Sequence, residues 1–248
     1  MKNKTIIITG AAGEIGYATA ELFAQAGANI MLVDIEEDAL KAKAKSLPTD
    51  QVAYHVADVT KEKEVKAYVD ATVKKFGGVD LFFNNAGIEG KVALIPDVKL
   101  EDFDQVMQVN VYGVMLGMKY VMPVISEGGA IVITSSVAGL QGTAGMLPYI
   151  TSKHATIGIM RTAALEGAER NIRVNTVHPG VIDSRMMDSL EQGLGEDADA
   201  VKESFKAQVP LGRYGQEKEV AETVFFLLSN KASYTTGSTY VLDGGLMV

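Results

Sequence analysis

The stretch TGAAGEIG, residues 9–16, follows a short apolar run, Ile6 to Ile8, and precedes a segment of helical periodicity. Its glycines, Gly10, Gly13 and Gly16, allow a tight turn after a strand, a close approach of a ligand to the backbone, and close packing of the next helix on the sheet. The unpaired N–H groups at the start of that helix, with the positive end of its dipole, attract an anion. The stretch therefore predicts a phosphate-binding turn between a strand and a helix.

The rest of the chain alternates short apolar runs with amphipathic segments. Further strands are predicted at 29–34, 52–56, 79–83, 130–134, 172–177 and 238–242, and helices at 36–47, 61–76, 101–125, 149–169 and 217–229. This alternation requires a parallel sheet with helices on both faces, joined by right-handed crossovers. We expect an α/β, Rossmann-like, doubly wound parallel sheet of about seven strands. We expect it to form one domain over 1–248, with a mobile substrate loop at about 184–210.

Composition excludes several classes of partner. The chain has 248 residues, a net charge of -8 and no cysteine. This charge argues against binding nucleic acid or anionic membranes through bulk electrostatics, and the absence of cysteine fits a reducing compartment. The apolar run near the N-terminus is too short for a signal peptide or a membrane span, so we expect a cytoplasmic protein. His55, His154 and His178 lack ligand spacing, so no metal site is expected, and we interpret His178 as a loop residue.

Asp34 ends the second apolar run, at about the ~20-residue interval that a ribose-binding acid keeps from such a turn. A carboxylate there accepts hydrogen bonds from ribose hydroxyls and repels a 2′-phosphate. No arginine stands in the following Ile35-Glu36-Glu37, so we expect NAD rather than NADP. The alternative for Asp34 is a helix cap, because Asp34 and Glu37 have capping-box spacing.

Four polar residues are candidates for catalysis. Tyr149 and Lys153 lie one helical turn apart and share a face, and a nearby ammonium favours the phenolate form of a tyrosine. Ser136 ends a predicted strand and is placed to hydrogen-bond a substrate oxygen. Asn110 falls on the apolar stripe of the helix predicted at 101–125, where its amide needs partners. The structural alternatives are a packed tyrosine with a solvated lysine, a turn serine, and a satisfied core asparagine or a kink.

The order of these motifs along nearly the whole chain resembles the classical branch of the short-chain dehydrogenase/reductase family. The motifs are TGAAGEIG, Asp34, Asp58-Val59, Asn85-Ala86-Gly87, Asn110, Ser136, Tyr149-x-x-x-Lys153 and Pro179-Gly180. The resemblance implies that Tyr149 exchanges a proton with the substrate oxygen while Ser136 orients that oxygen. It further implies that Lys153 lowers the tyrosine pKa and binds the nicotinamide ribose, and that Asn110 holds a water of the proton relay.

The resemblance also implies the remaining contacts. Those with the cofactor would come from Gly10, Gly13, Glu14, Ile15, Gly16, Asp34, Ile35, Asp58, Val59, Asn85, Ala86, Gly87, Tyr149, Lys153, Pro179, Gly180, Ile182 and Ser184. The substrate pocket would be formed by Glu89, Gln141, Met146, Leu147, Met186, Met187 and Leu190. This mostly apolar set favours a medium-sized hydrophobic or cyclic alcohol or ketone. A homotetramer is the expected assembly.

The sequence departs from the family pattern at Glu14, where a glycine is usual, and has Ser184 in place of a threonine. We expect Glu14 to point outward and the turn to bind NAD nevertheless. The function expected is therefore NAD-dependent interconversion of a secondary alcohol and a ketone. Two alternatives stay open: an NADPH-dependent 3-oxoacyl-carrier-protein reductase, and a dinucleotide-binding protein without catalysis.

Overall fold

Seven parallel strands form one sheet in the computed structural model, which describes residues 1–194 and 197–248. The strands are β1 (Thr5–Thr9), β2 (Asn29–Asp34), β3 (Val52–Val56), β4 (Val79–Asn84), β5 (Ile125–Thr134), β6 (Arg173–Pro179) and β7 (Thr239–Leu242). Their order in the sheet is β3-β2-β1-β4-β5-β6-β7. The predicted α/β fold with a doubly wound parallel sheet is confirmed.

Helices follow most of the strands. Within the described residues they are α1 (Glu14–Gln25), α2 (Glu37–Ser46), α3 (Glu62–Phe76), α4 (Leu100–Met107), α5 (Val114–Val121), α6 (Leu147–Gly167), α7 (Arg185–Leu194), α8 (Ala198–Gln208) and α9 (Glu217–Leu228). A π-helical turn, Gln108–Gly113, joins α4 to α5. None of these helices is long and apolar enough to cross a membrane.

The central strand β1 shows why its sequence is a continuous apolar run. Ile6 and Ile8 are buried in the same core cluster as Phe23 of α1 and Val224 of α9. Ile7 points to the opposite face, into the cluster that contains side chains of α3, α5 and α6. Because successive side chains of a strand alternate between faces, a sheet covered on both sides needs apolar residues at every position.

The chain reverses its direction of winding between β1 and β4. After β1 it continues to β2 on one side, and after β4 it continues to β5 on the other. The two connections diverge and leave a crevice outside the carboxyl ends of these strands, which is where ligands bind in open α/β sheets. The Gly-rich turn follows β1 directly at this crevice.

The prediction of one helix over 101–125 holds to Val121 but was wrong at its C-terminal end, and it missed the π-helical turn inside the helix. That stretch contains α4, the π-helical turn and α5, and its last predicted member, Ile125, begins β5 opposite Val79. An apolar residue four positions after Val121 suits either a helix or a buried strand, so the apolar periodicity alone does not separate the two.

The loop predicted at 184–210 was also wrong for the residues that the structure describes there. Helices α7 and α8 occupy most of it, while Gly195 and Glu196 lie outside the described residues. Met187 of α7 and Phe205 of α8 pack against a small apolar cluster that contains Val209 and Tyr214. Because the stretch is acidic and polar overall, its sequence predicts a loop. The few apolar residues that pack its two helices against the rest of the chain do not form a clear periodic pattern.

We predict that Gly16→Ala destabilises the fold, whereas Gly13→Ala in the same turn is tolerated. A Cβ atom at position 16 would lie 2.2 Å from the carbonyl oxygen of Gly10, but at position 13 it would lie 3.4 Å from the same atom. Because the obstacle at position 16 is backbone, Gly16→Ala should lower the free energy of unfolding by roughly 3 kcal/mol, the upper range for overpacking. Gly13→Ala should cost less than about 1 kcal/mol. Urea unfolding of both variants measures the difference, and equal costs would contradict this interpretation.

Candidate active site

A cavity of about 1100 Å³ lies at the carboxyl ends of β1 to β6. All the cofactor-contact residues expected from the sequence line it: Gly10, Gly13, Glu14, Ile15, Gly16, Asp34, Ile35, Asp58, Val59, Asn85, Ala86, Gly87, Tyr149, Lys153, Pro179, Gly180, Ile182 and Ser184. The sheet brings these distant stretches together because parallel strands end at one edge. No group of three or more acidic or histidine side chains among the described residues is arranged to hold a metal ion.

The Gly-rich turn forms a cradle at one end of this cavity. Gly10 has a φ of 64°, and a Cβ atom there would lie 3.0 Å from the Cα of Ala86. Helix α1 begins with Gly13 as its N-cap, and no side chain caps it. The N–H groups of its first turn thus have no side-chain partner, and the turn fits the pyrophosphate of a dinucleotide. Glu14 is exposed and also lines the cavity, so the outward direction of its side chain stays a prediction. Its φ lies outside the left-handed region, so the departure from glycine causes no backbone strain.

The carboxylate of Asp34 ties the Gly-rich turn to β2. One oxygen accepts a hydrogen bond from the N–H of Ala12 at 2.9 Å, and the other accepts from the N–H of Glu36 at 3.1 Å. The N-cap of α2 is Glu36, so Asp34 does not form the capping box that the sequence left open. Each carboxylate oxygen keeps a further lone pair, so Asp34, which lines the cavity, can still accept hydrogen bonds from hydroxyl groups.

Tyr149, Lys153 and Ser136 line the same cavity and are buried. The Nζ of Lys153 lies 5.4 Å from the centre of the Tyr149 ring and donates to the carbonyl oxygen of Thr134 at 3.1 Å. Ser136 follows β5, where its hydroxyl accepts from the N–H of Ala138. The strand end and the first turns of α6 thereby present a phenol, an ammonium and a hydroxyl to one space.

Burial dominates the proton affinities of this group. It raises the pKa of Tyr149 to about 12; the Ser136 hydroxyl lowers this pKa, and the negative charge of Glu89 raises it further. Burial also lowers the pKa of Lys153 to about 8. The expectation that Lys153 lowers the tyrosine pKa is therefore not met by the protein groups themselves. The reason is that desolvation disfavours the charged forms of both partners.

Asn110 lies in the π-helical turn and does not line the cavity. Its Oδ1 accepts from the N–H of Ile88 at 2.8 Å, and its Nδ2 donates to the carbonyl of Ile88 at 2.8 Å and to Oγ of Ser152 at 2.9 Å. The Ser152 hydroxyl donates in turn to the carbonyl of Tyr149 at 2.8 Å. Both amide donors are used, so the side chain clamps the loop after β4 to α6. Its role in a water relay stays a prediction that no contact tests.

His178 does not line the cavity but supports the backbone of Ser136, a role that its interpretation as a loop residue missed. It is buried near the end of β6, not in a loop. A carbonyl only accepts, so Nδ1–H donates to the carbonyl of Ser136 at 2.8 Å, and Nε2 accepts from the hydroxyl of Thr176 at 2.8 Å. Burial lowers the pKa of His178, which favours this neutral form. The available signal was the i, i+2 spacing of Thr176 and His178, which places both on one face of a strand.

Six of the seven residues expected to form the substrate pocket line this cavity, and their contact with a substrate stays a prediction. Glu89, Gln141, Met146, Met186, Met187 and Leu190 line it, and the hydroxyl of Tyr149 lies 3.9 Å from Sδ of Met186. Leu147 does not line the cavity: it begins α6 directly after Met146, and successive helical positions point in different directions. Residues not foreseen include Gln105, Gln108, Arg185, Phe205, Gln208 and Leu246.

Comparison with known proteins gives consistent matches over the whole chain. A family model described as enoyl-(acyl carrier protein) reductase matches residues 10–247. The chain is 40% identical to the 3-oxoacyl-[acyl-carrier-protein] reductase FabG of Thermotoga maritima, over 100% of this chain and 99% of that protein. It is 39% identical to a cyclohexanol dehydrogenase of an Acinetobacter species, over 98% and 94%. The crystal structure of a levodione reductase superposes with a TM-score of 0.96 at 37% identity, covering 99% and 98%.

We predict that the stability of the protein depends on the protonation of Lys153. Its pKa is about 8 in the folded chain, whereas that of an ordinary lysine is 10.5, so between these pH values the unfolded chain binds one proton more than the folded chain. The free energy of unfolding should therefore rise with pH in this window. Between pH 7 and pH 9.5 it should rise by roughly 2 kcal/mol more in the parent than in Lys153→Met. Urea unfolding at both pH values measures the gain. Lys75→Met, which removes an exposed lysine, is the control; no gain over Lys153→Met would contradict the effect of burial.

Proposed function

The chain belongs to the classical short-chain dehydrogenase/reductase family, and we propose that it interconverts a secondary alcohol and a ketone with NAD(H). The observation that carries the proposal is the convergence of Tyr149, Lys153 and Ser136 on a cavity whose other end is the Gly-rich turn. The bound dinucleotide supplies the hydride acceptor or donor. The protein residues have to bind it, orient the substrate and move the proton.

Tyr149 transfers the proton to or from the substrate oxygen. Its high pKa keeps the phenol protonated at neutral pH, which suits donation to a carbonyl oxygen during reduction. In the direction of oxidation the phenol must lose its proton, which burial within the protein opposes. We propose that, with cofactor and substrate bound, the phenol and the Lys153 ammonium adopt an arrangement that favours the phenolate. We assign to Ser136 a hydrogen bond to the substrate oxygen and to Asn110 the positioning of the loop that faces it.

The cofactor contacts follow from the cradle and from the order of the strands. We propose that the Gly-rich turn holds the pyrophosphate, that Asp34 accepts from the adenosine ribose, and that Asp58 and Val59 flank the adenine. We propose that Pro179 to Ile182 and Ser184 contact the nicotinamide. This arrangement is supported by the position of each residue along one continuous cavity.

The proposed substrate is a medium-sized apolar or cyclic alcohol or ketone. Three methionines and Leu190 form much of the lining beside Tyr149. Methionine side chains adapt their shape, so they accept a ring without defining its substituents. The identity with a cyclohexanol dehydrogenase supports this class.

An NADPH-dependent 3-oxoacyl-carrier-protein reductase is the second candidate. The 40% identity to the Thermotoga maritima enzyme favours it. The carboxylate of Asp34 argues against it, since a 2′-phosphate placed beside a carboxylate is repelled. A dinucleotide-binding protein without catalysis has no chemical reason to hold a phenol, an ammonium and a hydroxyl at one cavity.

We also propose a cytoplasmic homotetramer. Met115 on α5 and Leu165 on α6 are exposed apolar side chains, and Tyr240 on β7 is half-buried at the edge of the sheet. Such residues suit contacts between copies of the chain. Ala163 of α6 is part of the core of the single chain and is not available for such a contact.

We predict that Tyr149→Phe lowers turnover by about 10²- to 10⁴-fold, the range for a positioned proton donor, while NAD binding stays nearly intact. The substitution removes only the hydroxyl that faces the cavity. Tyr234→Phe, at a fully exposed tyrosine, is the matched control and should leave turnover unchanged. Steady-state absorbance of NADH measures turnover, and calorimetry measures NAD binding. Near-parental turnover by Tyr149→Phe would show that the proton donor is misassigned.

We predict that kcat/KM for NAD exceeds that for NADP by at least about tenfold, because the Asp34 carboxylate repels the 2′-phosphate. Asp34→Asn removes the charge and keeps one acceptor oxygen, so it should narrow this preference. Asp38→Asn, an exposed carboxylate on α2, should leave it unchanged. The measurement is kcat/KM for each cofactor at a fixed alcohol concentration. A preference of the parent for NADP would favour the carrier-protein reductase instead.

A further inference from the structure

Glu89 is a carboxylate at the substrate end of the cavity. It is half-buried, and none of the hydrogen bonds or ion pairs formed among residues 1–194 and 197–248 engages its side chain. Because no described side-chain oxygen is buried without a partner, the carboxylate of Glu89 is open to solvent in the cavity. A ligand that fills this part of the cavity displaces that water, so binding is unfavourable unless the ligand brings a hydrogen-bond donor in its place.

The backbone on both sides of Glu89 is held in place. On the N-terminal side, Asn110 bonds both the N–H and the carbonyl of Ile88. On the C-terminal side, Gly90 has a φ of 74°, and a Cβ there would lie 2.5 Å from Cγ2 of the buried Val106. Further along, the N–H of Ala93 donates to the carbonyl of Gly145 at 2.9 Å. The loop therefore presents Glu89 from a defined position, as a binding site for one particular group requires.

The loop that carries Glu89 runs beside the proposed catalytic group, since a Cβ atom at Gly87 would lie 3.4 Å from Nζ of Lys153. The negative charge of Glu89 acts on the phenol of Tyr149, raising the pKa of that residue. A substrate whose reacting oxygen meets Tyr149 thus places a neighbouring part of its skeleton beside Glu89. The rest of that end is lined by Met146, Met186, Met187 and Leu190, which contact carbon. The same charge disfavours a carboxylate or phosphate on the substrate.

We infer that Glu89 determines substrate specificity by accepting a hydrogen bond from a second hydroxyl group, so that the preferred substrate is a cyclic diol or hydroxyketone. This inference rests on the proposed function and narrows its substrate class. One hydroxyl of the diol meets Tyr149 and Ser136, the ring packs on the methionines, and the other hydroxyl donates to Glu89. A carboxylate acceptor with a neutral donor is a strong hydrogen bond, and leaving it unmade at a half-buried site is costly.

The test compares cyclohexanol with the 1,2-, 1,3- and 1,4-cyclohexanediols, using NAD as the oxidant and kcat/KM per hydroxyl group as the readout. The parent should favour at least one diol over cyclohexanol by about tenfold or more, as expected for a hydrogen bond to a charged group. Glu89→Leu should bring that ratio close to one, mainly by losing activity on the diol. Glu89→Gln keeps an acceptor oxygen and should retain part of the preference. Glu101→Gln, an exposed residue of α4, should leave the ratio unchanged.

Three results distinguish the inference from the proposed function. Equal or better use of cyclohexanol by the parent, or an unchanged ratio in Glu89→Leu, would overturn the role of Glu89 while the dehydrogenase activity stood. If Glu89→Leu failed to fold, the near-isosteric Glu89→Gln would decide, and an unchanged ratio there would overturn the role. If the parent oxidised no alcohol, the proposed function would be wrong. Calorimetric binding of the same alcohols with NAD present would then decide whether Glu89 selects diols.

Discussion

The close contact between α1 and the turn after β1 is the constraint on which the site depends. Gly16 approaches the carbonyl of Gly10 so closely that a Cβ atom would overlap it. This contact seats the start of α1 at the edge of the sheet, where its first N–H groups face the crevice. A protein with a net charge of -8 has no bulk attraction for a dinucleotide, so the affinity for phosphate must come from these oriented dipoles.

The proposed catalytic side chains are positioned by a network of buried hydrogen bonds. Asn110 and Ser152 connect the loop after β4 to the backbone of Tyr149, and His178 holds the backbone of Ser136. Every buried side-chain nitrogen and oxygen within the described ranges has a partner. The π-helical turn that carries Asn110 interrupts regular helix geometry, as such turns often do at functional sites. The network therefore sets the geometry, while burial sets the proton affinities.

Two carboxylates, Asp34 and Glu89, lie at opposite ends of the cavity, and we propose that each favours a different kind of ligand. Asp34 borders the Gly-rich turn and accepts hydrogen bonds from two backbone N–H groups, which fixes its orientation. Glu89 lies at the other end, and within the described residues it is held through its backbone and not through its side chain. In the function we propose, negative charge at both ends disfavours additional phosphate on the cofactor and acidic groups on the substrate. The same physical effect thus bears on the choice of both ligands.

The sequence alone determined which apolar runs become strands, the position of the Gly-rich turn, and several of the polar residues that line the cavity, among them Asp34, Tyr149 and Lys153. These features are local: a run of apolar residues, a glycine, or a tyrosine and a lysine one turn apart can be identified without knowing what packs against them. Helix α7 and helix α8, the π-helical turn at Asn110 and the strand position of His178 were decided by tertiary structure. Each depends on partners distant in sequence, such as Tyr214, Ile88 and Ser136. The pKa values of Tyr149 and Lys153 were also decided by tertiary structure, because the folded chain determines how far each side chain is removed from water.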